Sequence, residues 1–146
     1  MIYTKLTKKA LRICFDAHKD QVDKNGMPYV FHPFHLAEQM KDEYTTCVAL
    51  LHDVVEDSAY SLQDLTNAGF PEEVVHAVAR MSHDIFVPYM DYVRTLSTDP
   101  LARTVKLADL AHNCDLTRLD HITEADRKRV QKYQKAMDLL KRAESA

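Results

Sequence analysis

The chain has 146 residues, which is enough for one domain with a core that folds on its own. Its formal net charge of −3 gives no general attraction to nucleic acid or to a membrane surface, so we expect neither as a partner. The sequence has no run of about 18 apolar residues, and it therefore predicts no membrane-spanning helix. The first residues also lack the apolar segment of a secretory signal peptide.

Apolar residues recur at helical spacing through most of the chain, and no segment alternates apolar and polar residues as a strand does. Prolines, turn residues and N-capping side chains divide the chain into helices. The predicted helices, in chain order, are Thr4 to about Val22, Pro33 to Lys41, a third that is capped by Thr45 or Thr46 and contains Ala49 to Ser58, Ser61 to Gly69, one that opens at Pro71, Pro88 to about Leu96, Pro100 to about Leu116, and Thr123 to near the C-terminus. This order predicts an all-α fold, a single domain over residues 1–146 with about seven or eight helices.

The cysteine pattern indicates a reducing environment. Cys14, Cys47 and Cys114 are odd in number, lack CxxC spacing and lie among apolar neighbours. These features are typical of buried free thiols. We therefore expect a cytoplasmic protein without disulfide bonds.

The third predicted helix concentrates charge inside an apolar segment, ALLHDVVEDS, which begins at Ala49. Asp53 and Asp57 are four residues apart and share one helical face, where a like-charge pair destabilises a helix by a few tenths of a kcal/mol. Burial of an unpaired carboxylate among apolar side chains costs considerably more. A divalent cation removes this conflict because it binds carboxylate oxygens and a neutral imidazole together. We therefore expect a metal site that includes His52 and Asp53.

Other segments must complete such a site. Adjacent residues on a helix point about 100° apart, so His52 and Asp53 can flank a cation but cannot enclose it. His32 directly precedes a proline at a predicted helix start, and His35, three residues later, is a competing candidate. In TVKLADLAHNCDL, polar residues form a stripe on one face of an apolar helix, and Asp109 in this stripe is the expected further ligand.

Spacing alone leaves simpler interpretations open. Asp109 can pair with Lys106 three residues earlier, and His52 can form an internal hydrogen bond with Glu56 four residues later. The final helix is rich in Lys and Arg, which permits a nucleic-acid surface, but a solvated amphipathic helix is the favoured interpretation.

Ordered motifs in the chain resemble a known enzyme superfamily. The pattern H…HD…D, formed here by His32, by His52 with Asp53, and by Asp109, resembles the HD-domain phosphohydrolases. Three longer motifs are similar to the hydrolase domain of the Rel/SpoT family, whose small stand-alone members are nearest in size. These motifs are HxxQxxKxGxPYxxHP at residues 18–33, HDxxED at 52–57 and VKLADxxHN at 105–113. The resemblance implies an all-α, metal-dependent hydrolase that removes the 3′-pyrophosphate from guanosine tetraphosphate or pentaphosphate.

The resemblance also implies a role for each matched residue. The implied metal ligands are His32, His52, Asp53 and Asp109. The residues implied to handle the attacking water and its proton are Glu56 and Asp57, and those implied to meet the nucleotide or its phosphates are Lys24 and Asn113. The family commonly uses manganese, so the single divalent ion is expected to be Mn²⁺, although mixed nitrogen and oxygen ligands also suit Fe²⁺ or Zn²⁺.

Two positions depart from the family pattern and leave the substrate open. The family typically has arginines just before the lysine of the first motif and soon after the last motif, where this chain has Asp23 and Asp115. Arginine binds phosphate through paired, charge-assisted hydrogen bonds, whereas aspartate repels it. A hydrolase of the same fold that acts on another nucleotide or small phosphoester is therefore a second hypothesis. A catalytically silent nucleotide-binding regulator is a third, although such a protein has no need of Glu56 and Asp57.

Overall fold

The computed structural model describes residues 1–145, which form nine α-helices, one short 3-10 helix and no strand. The α-helices are α1 (Lys5–His18), α2 (Phe31–Glu38), α3 (Glu43–Leu51), α4 (Val54–Asp57), α5 (Leu62–Asn67), α6 (Glu72–Met81), α7 (Tyr89–Ser97), α8 (Pro100–Asn113) and α9 (Glu124–Ser145), and the 3-10 helix is Leu116–Arg118. The predicted all-α fold is confirmed. None of the helices in the described residues combines the length and apolar character needed to span a bilayer.

Several predicted capping side chains occupy their expected places. Ser61 accepts a hydrogen bond from the Asp64 N–H, and the Asp64 carboxylate accepts one from the Ser61 N–H, which completes a capping box. Thr123 and Asp126 form the same reciprocal pair at the start of α9. Gly69 follows α5 with a φ of +95°, in the left-handed region that glycine adopts without strain. These short-range signals are the reason that most helix ends can be predicted from the sequence.

The prediction of one continuous third helix is wrong, because this segment forms two helices. α3 ends at Leu51, and the single turn of α4 begins at Val54. Asp53, between them, has φ −105° and ψ −1°, close to the sparsely populated bridge region. His52 and Asp53 therefore lie at the break between the two helices.

Other helix ends also differ from the prediction, including both ends of α2 and the end of α8. Asp42, rather than Thr45 or Thr46, caps α3, and it accepts the Thr45 N–H at 2.8 Å. α1 ends four residues before Val22, because the chain turns there and Val22 pairs with Pro28 in an isolated bridge.

α3 lies at the centre of the fold. Its residues from Thr45 to Leu51 are all buried, and it packs against α1, α2, α6 and α8. The surrounding helices contribute fully buried side chains such as Leu36, Val78 and Leu110, each of which stabilises the fold by about 1.5–3 kcal/mol relative to an exposed position. Because α3 is enclosed in this way, His52 at its end has little freedom to move.

The three cysteines are free thiols, as predicted, but Cys114 is only partly buried, whereas the prediction had all three buried. Cys14 and Cys47 are buried, and burial raises the pKa of both thiols to about 12. Thiols with so high a pKa stay protonated and unreactive, so these two cysteines serve the core rather than chemistry.

Candidate metal site

Three buried side chains from three parts of the fold meet at the end of α3. They are His32 of α2, His52 directly after α3, and Asp109 of α8. One potential ligand atom from each lies within 4.8 Å of the others. His32 Nε2 is 2.8 Å and His52 Nε2 is 3.7 Å from Asp109 Oδ1. The structure thus brings together three of the four predicted ligands.

Local sequence explains how each side chain reaches the cluster. α2 begins at Phe31, two residues before the predicted start, so His32 and Pro33 both lie in its first turn. Proline is tolerated there because the missing N–H has no helical partner in any case. His52 follows the buried apolar α3, and Asp109 lies on the polar stripe of α8.

The His52 ring directs its Nε2 atom toward carboxylate oxygens. Its Nδ1–H donates to the Ala49 carbonyl at 2.6 Å, so in the neutral ring Nε2 carries the lone pair. Nε2 is buried without a hydrogen-bond partner in residues 1–145, and it lies 3.0 Å from Asp53 Oδ2. A lone pair that faces carboxylates is repelled unless a positive charge lies between them. A proton on Nε2 can supply that charge, and so can a divalent cation that takes its place, so the donor set fits a metal ion.

The charges of the cluster favour an additional cation. Burial alone would lower the pKa of His52, but the charges of Asp53 and Asp109 raise it well above its ordinary value. Burial opposes ionisation of Asp109, yet Lys106 and the neighbouring imidazoles hold the pKa of its carboxyl well below the ordinary value. The cluster therefore keeps its carboxylates ionised and attracts positive charge.

Asp53 lies at the edge of this cluster. Its Oδ2 accepts a hydrogen bond from the Tyr29 hydroxyl, and its side chain is 20 % exposed. Asp53 does not belong to the group of three residues whose potential ligand atoms all lie within 4.8 Å of one another, so its role as a fourth ligand stays a prediction. Tyr29 was not predicted as a site residue, although it belongs to the PY pair of the first motif. Burial and the Asp53 charge raise the pKa of Tyr29, so its hydroxyl keeps the hydrogen that it donates.

Two further side chains of α8 hold Asp109. Lys106 Nζ lies 2.9 Å from Asp109 Oδ2, and Asn113 Nδ2 donates to Oδ1 at 3.1 Å. The simple pair of Asp109 with Lys106 therefore does form, but it uses Oδ2 and leaves Oδ1 directed toward His32 and His52. Asp109 can thus satisfy the lysine and contribute to the cluster at the same time.

His112 orients His32, a role that was not predicted from the sequence. The Nδ1 atoms of the two rings are 2.7 Å apart, and the rings stack with centroids 5.0 Å apart. Burial and the Arg118 charge lower the pKa of His112 to about 4, so its neutral ring can accept the hydrogen on His32 Nδ1. That hydrogen bond fixes the ring so that His32 Nε2 faces Asp109 in the cluster, where it can act as a ligand. His35, the competing candidate, is exposed and packs against His112 instead of joining the cluster.

Glu56 and Asp57 lie on α4 with exposed side chains, one turn beyond His52. The Glu56 carboxylate accepts the backbone N–H of His83 at 2.7 Å, rather than a hydrogen bond from His52. Partial burial raises the pKa of both carboxyl groups, and the nearby charge of Asp53 adds to the effect. A carboxylate with a raised pKa is the better proton acceptor near neutral pH.

Lys24 and Asn113 line one pocket of about 230 Å³. Asn113 connects this pocket to the cluster, because its side chain also binds Asp109. Lys24 is largely exposed, and its Nζ lies 3.9 Å from Asp126 Oδ1. The pocket also contains three larger side chains that the sequence analysis did not predict, namely Arg118, Arg129 and Tyr133. All three lie beyond the last motif, where residue spacing carries no signal.

Asp23 and Asp115 line the same pocket, and each carboxylate takes part in a local turn. Asp23 Oδ1 accepts the N–H of Asn25 at 2.9 Å, and its Oδ2 lies 3.8 Å from Arg118 Nη2. Asp115 Oδ1 accepts the N–H of Thr117 at 3.1 Å and so caps the 3-10 helix. Both aspartates therefore shape the pocket wall, and Arg118 places a cation beside one of them.

Comparisons with known proteins identify relatives of this chain. It is 31 % identical over 124 residues to the bifunctional (p)ppGpp synthase/hydrolase SpoT of Escherichia coli, a match that covers 75 % of this chain and 18 % of SpoT. It is 34 % identical over 119 residues to a GTP pyrophosphokinase of Streptomyces coelicolor, with 73 % of this chain and 14 % of that protein covered. The chain thus spans less than a fifth of the length of the relatives it matches. No protein-family model matches it.

The fold also matches a solved structure. That structure comes from work on a metazoan ortholog of SpoT that hydrolyzes ppGpp, and the two folds agree with a TM-score of 0.75. The match covers 96 % of this chain and 88 % of the other, at 24 % sequence identity. The likeness establishes a shared helical fold over nearly the whole chain.

Proposed function

We propose, on the premise that this chain is a Rel/SpoT-like protein, that it is a metal-dependent phosphohydrolase. The observation that carries the proposal is the buried cluster of His32, His52 and Asp109, in which His52 Nε2 faces carboxylate oxygens. Relatives named as (p)ppGpp hydrolases support guanosine tetraphosphate or pentaphosphate as the substrate. The bond cleaved would be the one that joins the 3′-pyrophosphate to the ribose.

One divalent cation suits this cluster. His32, His52 and Asp109 would hold it, with Asp53 as a fourth ligand. Imidazole and carboxylate donors suit Mn²⁺, Fe²⁺ and Zn²⁺, and we favour Mn²⁺ because the motifs resemble a family that commonly uses it. A cation at this place would supply Lewis-acid assistance to the hydrolysis.

The chain's own residues would divide the remaining work. Glu56 and Asp57 would take the proton of the attacking water, a role supported by the raised pKa of both carboxyl groups. Lys24 and Asn113 would bind the nucleotide or its phosphates in the pocket that they share. Lys24 would contribute positive charge, and Asn113 would link the phosphate-binding pocket to the cluster through its hydrogen bond to Asp109.

We propose that residues 1–146 act as one HD-type domain, since the helices that supply the cluster surround a common core. The free, buried thiols favour a reducing compartment, and we propose a cytoplasmic location. The expected partner is a small nucleotide, with no role for nucleic acid or membrane.

Turnover by the purified chain tests this function. The chain is incubated with Mn²⁺ and guanosine tetraphosphate, and the products are separated by anion-exchange chromatography. We expect guanosine diphosphate and pyrophosphate, and we expect neither from the variant Asp109→Asn. Absence of any product from this substrate and from a panel of other nucleotides would contradict the hydrolase assignment and leave nucleotide binding without turnover.

A second candidate function follows from Asp23 and Asp115. Their carboxylates offset part of the positive charge of Lys24, Arg118 and Arg129 in the same pocket, which weakens its attraction for the most highly charged substrates. A nucleotide or small phosphoester with fewer phosphates would depend less on that attraction. Faster release of phosphate or pyrophosphate from such a substrate in the same panel would select this candidate.

A further inference from the structure

A chain of hydrogen bonds leads from the end of α1 to the end of α4. His18, the last residue of α1, is fully buried, and its Nδ1 lies 2.8 Å from Gln21 Oε1. Gln21 Nε2 donates in turn to the backbone carbonyls of Ala17 at 3.3 Å and Asp57 at 2.7 Å. The chain of contacts therefore ends on the last residue of α4.

The Gln21 amide can take only one orientation in this arrangement. Its Nε2 faces two carbonyl oxygens, which accept hydrogen bonds and cannot donate them. The amide oxygen must then face His18, so His18 Nδ1 carries the hydrogen. The other ring nitrogen of His18 is buried without a partner in the described part of the chain. The one hydrogen bond of this buried imidazole therefore serves to fix Gln21.

α4 needs contacts of this kind to hold its position. It has four residues, and a single turn makes too few internal hydrogen bonds to be stable alone. Val54 is its only buried residue and Val55 packs partly against the core, so the core fixes the first half of the turn. Two hydrogen bonds from elsewhere reach the other end, namely the His83 N–H to the Glu56 carboxylate and the Gln21 amide to the Asp57 carbonyl.

We infer that Gln21 is a positioning residue for Glu56 and Asp57, and that His18 fixes the orientation of its amide. This inference rests on the proposed function, which gives those two carboxylates the proton of the attacking water. Gln21 acts through the Asp57 backbone, because its amide atoms bond to His18 and to two carbonyl oxygens rather than to the metal cluster. Misplacement of a reacting group by about 1 Å can lower a rate by about 100-fold.

The variant Gln21→Met tests the inference, because methionine has nearly the same size as glutamine and cannot donate the hydrogen bond. The matched control is Gln63→Met. Gln63 is exposed on α5, and its amide donates a hydrogen bond to the Asn67 side chain of the same helix. For Gln21→Met we expect kcat to fall about 10- to 100-fold while KM changes by less than about twofold. Bound metal per chain and the unfolding temperature should equal those of Gln63→Met.

Two kinetic results would overturn the inference. One is a kcat within about twofold of the unmodified chain, which would mean that α4 does not need the Gln21 bond. The other is a loss of activity that accompanies loss of metal or a lower unfolding temperature, which would make Gln21 a general structural residue. The split between kcat and KM, with metal content unchanged, distinguishes positioning from both.

Amide hydrogen exchange separates this inference from the proposed function. The Asp57 N–H donates to the Asp53 carbonyl at 3.0 Å, and it should exchange at least about tenfold faster in Gln21→Met if Gln21 holds α4. Faster exchange in a chain that hydrolyses no nucleotide would refute the hydrolase function and retain the positioning of α4. Normal exchange and normal kcat in a chain that hydrolyses guanosine tetraphosphate would refute the inference and retain the function.

Discussion

The imidazole of His52 lies beside two carboxylates, and the metal assignment depends on the hydrogen bond at its opposite nitrogen. The Ala49 carbonyl accepts the Nδ1 hydrogen and so fixes the tautomer. In the neutral form of that tautomer Nε2 can bind a cation, and in the protonated ring the same atom carries a hydrogen toward Asp53. At the scale of single residues, one backbone carbonyl therefore determines which ring nitrogen faces the cluster.

The variant Asp109→Asn tests the cluster directly. It keeps the size of the side chain but removes a charge that faces His32 and His52. We expect bound Mn²⁺ to fall by more than about tenfold, measured by elemental analysis of purified protein after dialysis. Asp138→Asn, on an exposed position of α9, is the matched control and should retain its metal. Full metal content in Asp109→Asn would remove Asp109 from the ligand set.

The variant Glu56→Gln tests the proton acceptor. The glutamine oxygen can still accept the His83 N–H, so the side chain should stay in place. We expect unchanged metal content and turnover lower by about 100-fold or more, because an amide cannot take a proton from water. Steady-state kinetics provide the measurement, and Glu144→Gln at an exposed position should behave as the unmodified chain. Near-normal turnover would move this role to Asp57.

The sequence predicts the residues of the cluster better than it predicts their neighbours. His32, His52 and Asp109 are recognisable because polar groups are rare in apolar helices, and the structure brings them together. Tyr29 and His112 were not predicted, because each acts across an interface between segments that are far apart in sequence. Spacing within one helix contains no information about such contacts.

At the scale of secondary structure, the division between α3 and α4 has the greatest effect on the site. The apolar pattern continues through residues 49–55, so periodicity predicts one unbroken helix. The structure has a break at Asp53 instead, and this break separates the buried end of α3 from the exposed carboxylates of α4. The break depends on tertiary contacts, such as the Tyr29 hydroxyl that binds Asp53, which the local sequence does not reveal.

The start of α9 yields a prediction about stability and pH. Hydrogen bonds from the Thr123 backbone and hydroxyl hold the pKa of Asp126 at about 2, below its ordinary value of 3.8. A carboxyl group whose pKa is lower in the folded state stabilises the fold above its ordinary pKa, and this contribution is lost as the pH falls through the folded value. The contribution of Asp126 should therefore disappear between about pH 4 and pH 2.

The variant Asp126→Asn should unfold at a lower temperature than the unmodified chain at pH 7, and the difference should shrink as the pH approaches 2. Thermal unfolding followed by circular dichroism over this pH range provides the measurement. Asp138→Asn is again the control, since its exposed side chain should leave the curve unchanged. A difference in unfolding temperature that stays constant from pH 7 to pH 2 would contradict the assigned role.

At the scale of the whole molecule, the cluster joins three helices that also pack against one another. α2, α3 and α8 supply His32, His52 and Asp109, and each pair of these helices is in contact. The global arrangement was predictable only as a helical bundle, because periodicity assigns faces to helices but does not specify which helices become neighbours. The order in which the helices pack is the information that residue spacing lacks, and the matched solved structure has the same helical fold.

A cation bound by three helices should stabilise the whole fold. A ligand that binds only the folded state at 100 times its Kd adds about 2.7 kcal/mol, which for a chain of this size raises the unfolding temperature by roughly 5–10 °C. We expect this rise on addition of Mn²⁺, its reversal by a chelator, and no rise in Asp109→Asn. An equal rise in the unmodified chain and in the variant would indicate non-specific binding to the surface.

His32 and Asp109 are separated by 77 residues. An unfolded or half-synthesised chain therefore offers any ion only scattered single donors, and no chelate exists until α8 has docked onto the other two helices. A cation held by this cluster would therefore bind late in folding, and its binding would report that the chain has reached its native topology.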